Sequence, residues 1–363
     1  MKKIRVLQIV PSLSQANGVA SYAMNYYRNL KKIEMDFALT TTNTESEYYK
    51  EIENNGNIIY DLSTENSKNI FEYISKIKSF FQKHSKEYDI IHCNVANSGV
   101  FFLYYAKKYG IKTRILHSHG TSTGENILKR IRNNFILIFS KMLSNEYFAC
   151  SEAAGKAMFK NYRFIVINNA IEGAKYEFNK QYREEIREEF NVGDSILIGT
   201  IGRLNTVKNQ EFMLNIMKQL ENNKYKLMLV GNGPLEKALK EKAKELGIED
   251  KVIFTGSRND TYKIYSAFDI FILSSLFEGL PVVGVEAQCN GLTCIFADTI
   301  TTETKINSNV SFLSITNPSN WIEKIKEIDF KRIENNNFSD STYNIKKESI
   351  KLEEKYINLN KKI

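Results

Sequence analysis

Two glutamates eight positions apart, Glu278 and Glu286, enclose Gly279-Leu280-Pro281-Val282 and follow an apolar, β-prone run that ends at Leu273. Proline costs nothing as the first residue of a helix, because the N–H it lacks has no partner there. The spacing therefore predicts a helix that opens at Pro281 from the carboxyl end of a strand. Such a junction gathers unpaired backbone N–H groups and the positive end of a helix dipole, which suits a diphosphate. Glu286 then lies roughly 7–8 Å along the helix axis at 1.5 Å per residue, an offset that spans a phosphate to its ribose. Glu278 stands on the other side of the phosphates, where a carboxylate accepts hydrogen bonds from sugar hydroxyls. Two carboxylates bracket one nucleotide sugar in this reading. As a bare pattern, a pair at this spacing also occurs on solvated helix faces, and the Phe-Glu-Gly-Leu-Pro context after a strand separates the two.

Upstream, Ile198-Gly199-Thr200-Ile201-Gly202-Arg203-Leu204 ends another strand, and Lys208 precedes the next helical segment. A guanidinium and an ammonium at one strand end neutralise a leaving diphosphate as its charge develops, so Arg203 and Lys208 are the candidates for electrophilic catalysis. The alternative is a surface ion pair with Asp or Glu. In the first half, Arg114-Ile115-Leu116-His117-Ser118-His119-Gly120 ends a strand. Alternate strand residues share a face, so His117 and His119 can pair on a metal, but no third ligand is evident, and a core role for His117 is the plainer reading.

These residues need a scaffold that presents strand ends. Short β-rich runs alternate with longer stretches of helical period, the pattern of βαβ units and a parallel sheet. One series has strands near 4–10, 35–41, 88–93, 113–118, 146–150 and 164–167, with a short addition near 57–60. Its helices fall near 19–30, 68–81, 98–108, 126–143 and 152–160. The second has strands near 195–201, 225–230, 251–254, 269–273, 293–296 and 310–313, with helices near 209–220, 234–246, 261–267, 281–290 and 318–328. A charged helix over 180–189 leads into the second series, and an Asn-rich turn stretch over 335–344 precedes a terminal helix over 345–359. The organisation expected is 1–170, 171–340 and a terminal segment, 341–363, returning to the first domain.

With 363 residues and 42% hydrophobic composition, the chain is long enough to fill two cores. Residues 1–175 carry 24 Lys and Arg against 15 Asp and Glu, a surplus of nine; taken from totals of 50 and 42, that leaves 26 against 27 in the remainder. The basic excess belongs to the first half, which suits an anionic surface or ligand, or simply solubility. Cys93, Cys150, Cys289 and Cys294 form no Cys-x-x-Cys pair and sit in apolar runs, which reads as reduced cysteine in a cytoplasmic protein. No signal peptide is expected, and the most apolar short segment, 135–139, falls far below the ~20 residues that span a bilayer. Asp-x-Asp, Gly-x-Gly-x-x-Gly after a strand and a P-loop are absent, which counts against metal-dependent transfer, dehydrogenase and NTPase readings. No cofactor and no metal are expected. The basic surplus lacks any nucleic-acid module, so no nucleic-acid partner is expected.

The Phe277-Glu278-Gly279-Leu280-Pro281…Glu286 motif and the Gly202-Arg203-Leu204…Lys208 element resemble the family 4 retaining glycosyltransferases of the GT-B fold, with bacterial capsule and exopolysaccharide enzymes nearest. The resemblance runs from the Asn17-Gly18 loop through His119 to Glu286. It implies an α/β chain of two Rossmann-like doubly wound parallel-sheet domains facing across a cleft. It further implies a UDP-type donor held mainly by the second domain, a saccharide or lipid-linked acceptor in the first, and transfer with retained anomeric configuration. By the same resemblance His119 faces the donor sugar, and Gly256 and Arg258 lie where the base is held. Gly18 belongs to a loop that normally carries two adjacent glycines, the first replaced here by Asn17. Asn tolerates left-handed backbone, so the loop geometry is expected to survive. Gly202, Leu280, Pro281 and Val282 complete the donor-binding set.

Two rivals share this architecture: a GT-B-shaped sugar-nucleotide epimerase, and a non-catalytic sugar-nucleotide-binding subunit. The helix over 126–143 raises a separate question. Ile127, Ile131, Phe135, Ile138 and Met142 recur at helical spacing, with Lys129, Arg130, Arg132 and Lys141 on other faces. Such a helix lies peripherally on anionic lipid or, more often, packs its apolar stripe on the core; core packing is the expectation.

Overall fold

The computed structural model describes residues 3–14, 17–41, 46–63, 65, 69–122, 127–220, 224–334 and 337–361. Residues 68 and 126, where two helices were expected to open, and the first two positions of the 335–344 stretch lie outside them. The chain divides into two units, Met1–Ala170 with Ile345–Ile363, and Ile171–Asn344.

The first unit runs β1 (Ile4–Val10), α1 (Gly18–Asn29), β2 (Ile33–Leu39), α2 (Glu47–Asn54), β3 (Ile59–Asp61), α3 (Ile70–His84), β4 (Ile90–Cys93), α4 (Val100–Lys108), β5 (Thr113–Ser118), α5 (Ile127–Leu143), β6 (Glu146–Ala149), α6 (Glu152–Phe159) and β7 (Ile165–Val166). Its described strands form one parallel sheet in the order β3-β2-β1-β4-β5-β6-β7. The second unit has α7 (Lys180–Glu189), β8 (Ile196–Ile201), α8 (Gln210–Gln219), β9 (Tyr225–Val230), α9 (Glu236–Glu245), β10 (Val252–Gly256), α10 (Thr261–Ala267), β11 (Ile270–Leu273), α11 (Val282–Cys289), β12 (Thr293–Ala297), β13 (Val310–Leu313) and α12 (Pro318–Glu327). Its order is β10-β9-β8-β11-β12-β13. The last helix, α13 (Ile345–Lys361), packs Ile345, Leu352, Tyr356 and Leu359 into the core of the first unit.

Strands covered on both faces read as continuous apolar runs, and every residue of β8 is buried. In each sheet the order reverses beside the first strand, between β1 and β4 and between β8 and β11. Ligands of open α/β sheets bind beyond the carboxyl ends of the strands at such a switch point. Several sequence boundaries move by a few residues: β2, expected over 35–41, spans Ile33–Leu39. Within it Arg5 Nη2 donates to buried Asp36 at 2.6 Å and the Tyr88 hydroxyl donates at 2.9 Å. The helix expected to open at Pro281 opens at Val282, with Pro281 as its N-cap.

The face of α5 is the larger correction. Its buried positions are Asn133, Leu137 and Ser140, and the Ser140 hydroxyl donates to the Ala96 carbonyl at 2.8 Å. Ile127, Leu128, Ile131, Phe135, Ile138, Phe139 and Met142 are exposed, Leu128 by 80% and Phe135 by 63%. At 3.6 residues per turn these seven share an arc of roughly 120°, opposite the buried positions. The helix is fastened by small and polar groups, so its apolar stripe does not pack on the core.

Candidate active site

At the β8/β11 switch point, two loops are fastened together. After β8, Asn205 Oδ1 accepts from the Lys208 N–H at 3.0 Å, and Asn209 takes a left-handed conformation (φ 53°). After β11, the Ser274 hydroxyl donates to the Asn209 carbonyl at 2.9 Å, Asn209 Nδ2 donates to the Ser274 carbonyl at 3.2 Å, and the Leu276 N–H donates to the Val207 carbonyl at 2.7 Å. The result brings Lys208 Nζ to 2.5 Å from Glu278 Oε1, with side chains only 21% and 15% exposed. A cation and an anion drawn from different strand ends therefore meet beside the start of α11. Pro281 offers no side-chain acceptor, and this helix has no side-chain cap. The Gly284 N–H turns back to the Pro281 carbonyl at 2.9 Å, and the helical N–H groups before it have no partner within the helix, so α11 presents those to whatever lies before it.

Glu286 sits five residues after that cap. Its Oε2 accepts from the hydroxyl of buried Tyr265 at 2.6 Å. Burial raises its pKa, while hydrogen bonds from Tyr265 and Tyr176 and the charge of Lys175 work in the opposite direction. A carboxylate held this way keeps one oxygen oriented by the protein. The sequence reading missed Tyr265 and Tyr176. Tyr265 lies in α10 among apolar neighbours, where it reads as ordinary core, and only the fold brings its hydroxyl to a glutamate 21 positions away.

Gly202, Gly231 and Gly256 end the adjacent strands β8, β9 and β10. The Gly202 N–H donates to the Val230 carbonyl at 2.9 Å, and the Gly231 N–H to the Gly256 carbonyl at 2.8 Å. Gly231 has φ +128°, and a Cβ there would lie 2.3 Å from the Gly202 carbonyl oxygen. Only glycine fits, and the row forms a ledge of bare backbone.

Arg203 is exposed and makes no ion pair among the described residues. Two expectations change. Arg258 is not offered to a base. Asp260 accepts from its Nε and Nη2, both at 2.8 Å, and Glu189 accepts from Nη1 at 2.5 Å. Both carboxylates raise its pKa, and the guanidinium lies over the Phe190 ring, tying α7 to the loop after β10. Asn17 is extended (φ −100°, ψ 114°) rather than left-handed, because it caps α1. Its Oδ1 accepts from the Val19 N–H at 2.9 Å and the Ala20 N–H at 3.4 Å, and Gly18 is the first helical residue.

His119, beyond β5, belongs to a buried polar cluster that the sequence did not reveal. His119 Nε2 is 2.9 Å from Asn94 Oδ1, and its ring stacks on His117 with centroids 4.1 Å apart. His117 Nδ1 in turn lies 2.9 Å from His92 Nε2, so it engages another imidazole rather than sharing a metal with His119. Burial pushes His119 down to about 4 and His92 to about 3, and lowers His117 as well. All three rings are neutral at physiological pH. No group of three or more His, Cys, Asp or Glu side chains among the described residues is arranged to hold a metal.

Two doubly wound parallel-sheet units with ligand-ready strand ends define a GT-B glycosyltransferase. Anabaena HepE, solved with UDP and glucose, superimposes with a TM-score of 0.75 at 17% identity, over 99% of this chain and 98% of that one. Residues 182–344 match the family described as "Glycosyl transferases group 1". It is 29% identical to the glycosyltransferase EpsF of Bacillus subtilis (strain 168), over 88% of this chain and 86% of EpsF. It is 25% identical to the UDP-Gal:alpha-D-GlcNAc-diphosphoundecaprenol alpha-1,3-galactosyltransferase of Escherichia coli, over 59% of this chain and 58% of that enzyme.

Proposed function

We propose that the chain is a retaining glycosyltransferase that moves a hexose or N-acetylhexosamine from a UDP sugar to a saccharide or lipid-linked acceptor, in synthesis of a capsule or exopolysaccharide. The observation that carries this reading is the helix α11, uncapped by any side chain, with the Lys208–Glu278 pair beside its start. The names of the E. coli relative and of the HepE complex support UDP as the nucleotide and an undecaprenyl diphosphate-linked saccharide as the type of acceptor.

In this reading the N–H groups of Leu280, Val282 and Val283, with Lys208, take the diphosphate, joined by Arg203 when donor binds. The ribose hydroxyls donate to Glu286, and the base lies along the glycine ledge at Gly202 and Gly256. Diphosphate binding draws Lys208 off Glu278, whose carboxylate is then released to the sugar. The C1–O bond to the diphosphate breaks, the acceptor oxygen bonds to C1 on the same face, and its proton passes to a diphosphate oxygen. Positive charge building on the sugar ring is met by Glu278, with His119 against the sugar. The cations and helix N-terminus neutralise the leaving group, so no divalent metal is called for. Transfer should persist in EDTA; loss restored by added magnesium contradicts this part.

The exposed apolar arc of α5 favours peripheral contact with an anionic membrane on the cytoplasmic side. Arg132 and Lys141 flank the arc, so lipid headgroups would meet cations while Phe135 and Leu128 enter the acyl boundary. No described helix is long and apolar enough to cross a membrane. The reaction is tested with UDP-hexose or UDP-N-acetylhexosamine and a diphosphate-linked saccharide, reading the product anomer by NMR. An α-linked product from an α donor supports retention. A β-linked product refutes it, and sugar inversion without any acceptor points to an epimerase.

A further inference from the structure

The cluster around His119 is a hydrogen-bond chain with a direction, and the direction can be read from backbone atoms. Asn94, just past β4, has its Nδ2 within 3.3 Å of the Ile9 and His92 carbonyl oxygens and 2.7 Å from Gln8 Oε1. Carbonyl oxygens only accept, so that end of the amide is the donor and Oδ1 is the end that faces His119. An acceptor at 2.9 Å from Nε2 requires the proton there. His119 is consequently the Nε2–H tautomer, and its Nδ1 carries a lone pair. That atom is buried and makes no hydrogen bond of ordinary geometry to a described residue, while the side chain of Asn169 beside it raises the ring's pKa against the effect of burial.

The same logic runs the other way from Asn94. Gln8 spends Oε1 on Asn94, so its Nε2 donates to the Tyr356 hydroxyl at 3.1 Å. That hydroxyl, accepting from Gln8, also lies 2.5 Å from His92 Nδ1, and His92 Nε2 lies 2.9 Å from His117 Nδ1. The chain closes on itself where His117 stacks against His119. Tyr356 is fully buried and comes from α13, the segment that returns after the whole second unit. The other titratable groups at the site are His117, His92 and Tyr22, whose ring meets His119 edge-on at 4.8 Å, and Tyr26, Tyr356, Cys150 and Glu348 act on Tyr22 in turn.

We infer that Asn94 is a positioning residue for the transfer reaction, which Gln8 and Tyr356 orient so that His119 keeps its proton on Nε2 and holds its ring, neutral, in the place proposed for it against the sugar. The inference rests on the proposed place of His119 against the sugar. Its structural half, the tautomer, is independent of that place.

The test is nitrogen-15 NMR of the imidazoles in the full chain, alongside kinetics with UDP sugar. In the parent, His119 should show a protonated Nε2 and a bare Nδ1, unchanged between pH 8 and about 5. Asn94→Asp places a carboxylate against Nε2, which favours the imidazolium, so His119 should begin to titrate in that window and the pH–rate profile should gain an acid limb. Tyr356→Phe keeps the ring in the α13 packing and removes only the relay hydroxyl. It should lower kcat about tenfold, as small misplacements of a reacting group do, while UDP affinity stays that of the parent. A protonated Nδ1 in the parent overturns the inference, whether or not Asn94→Asp folds. So does a Tyr356→Phe enzyme with parental kcat. Should His119→Ala transfer sugar as the parent does while the parent tautomer is as stated, the sugar-facing reading of His119 fails and the tautomer assignment stands.

Discussion

The two sheets share a topology, yet the helices that open at their switch points present opposite faces to a ligand. At α1 the first-turn N–H groups are already filled: Asn17 Oδ1 takes those of Val19 and Ala20. At α11 Pro281 has no side chain to do the same, and a lysine–glutamate pair stands alongside. The polar groups near the first switch point are neutral amides and imidazoles whose burial keeps them uncharged. In the proposed reading one end meets the charged diphosphate and the other uncharged hydroxyls, a division set by the choice of a cap residue and by how deeply the polar groups are buried.

Removing charge from the α11 end should have the largest effect. Lys208→Ala is expected to lower kcat about 10²- to 10³-fold, the range for losing a group that meets developing charge, measured with saturating UDP sugar. Glu278→Ala should cut the sugar-dependent step while binding bare UDP at least as tightly as the parent, because the diphosphate no longer competes with Glu278 for Lys208. A smaller change makes the two helices alike. Pro281→Ser adds a capping oxygen to α11 and should weaken UDP binding about five- to tenfold in calorimetry, since a cap is worth ~1 kcal/mol. Unchanged affinity would mean those N–H groups do not hold the ligand.

Acidification probes the ribose contact. Burial raises the folded pKa of Glu286, so its charged form, which accepts from ribose hydroxyls, is lost as pH falls through a value above that of an ordinary glutamate. UDP affinity should therefore decline on acidification earlier than a pKa of about 4.3 dictates, and the decline should disappear in Glu286→Gln. For stability the sign is reversed: a raised carboxyl pKa favours folding at pH values below the unfolded pKa, and that contribution is lost as pH rises through the folded one. The smallest effect is expected at α1, where Asn17→Ala should lower stability by about 1 kcal/mol and leave UDP affinity alone. An Asn17→Ala chain that loses UDP binding would erase the contrast between the helices.

The α11 end was legible in the sequence because its signal is local: a strand, a Gly-Leu-Pro junction and a glutamate at fixed spacing. The Lys208–Glu278 contact crosses 70 positions and the Gln8–Tyr356 bond 348, and no periodicity reports such pairs. Arg258 misled for a local reason, since Asp260 two residues on captures it before any ligand can. In α5 the period was visible but not which side of it met the sheet. Ser140 and Asn133 decided that, and polar residues in a helix read as the solvent face until their partners are known.

Calorimetric titration of the full-length chain with UDP and with uridine, in the parent and in Lys208→Ala, tests most directly whether the β8/β11 end is a diphosphate site. The parent should bind UDP far more tightly than uridine, and Lys208→Ala should bring UDP close to uridine. Equal affinities for the two ligands in the parent, or unaltered UDP affinity in Lys208→Ala, would contradict the assignment of that strand end and helix to the donor.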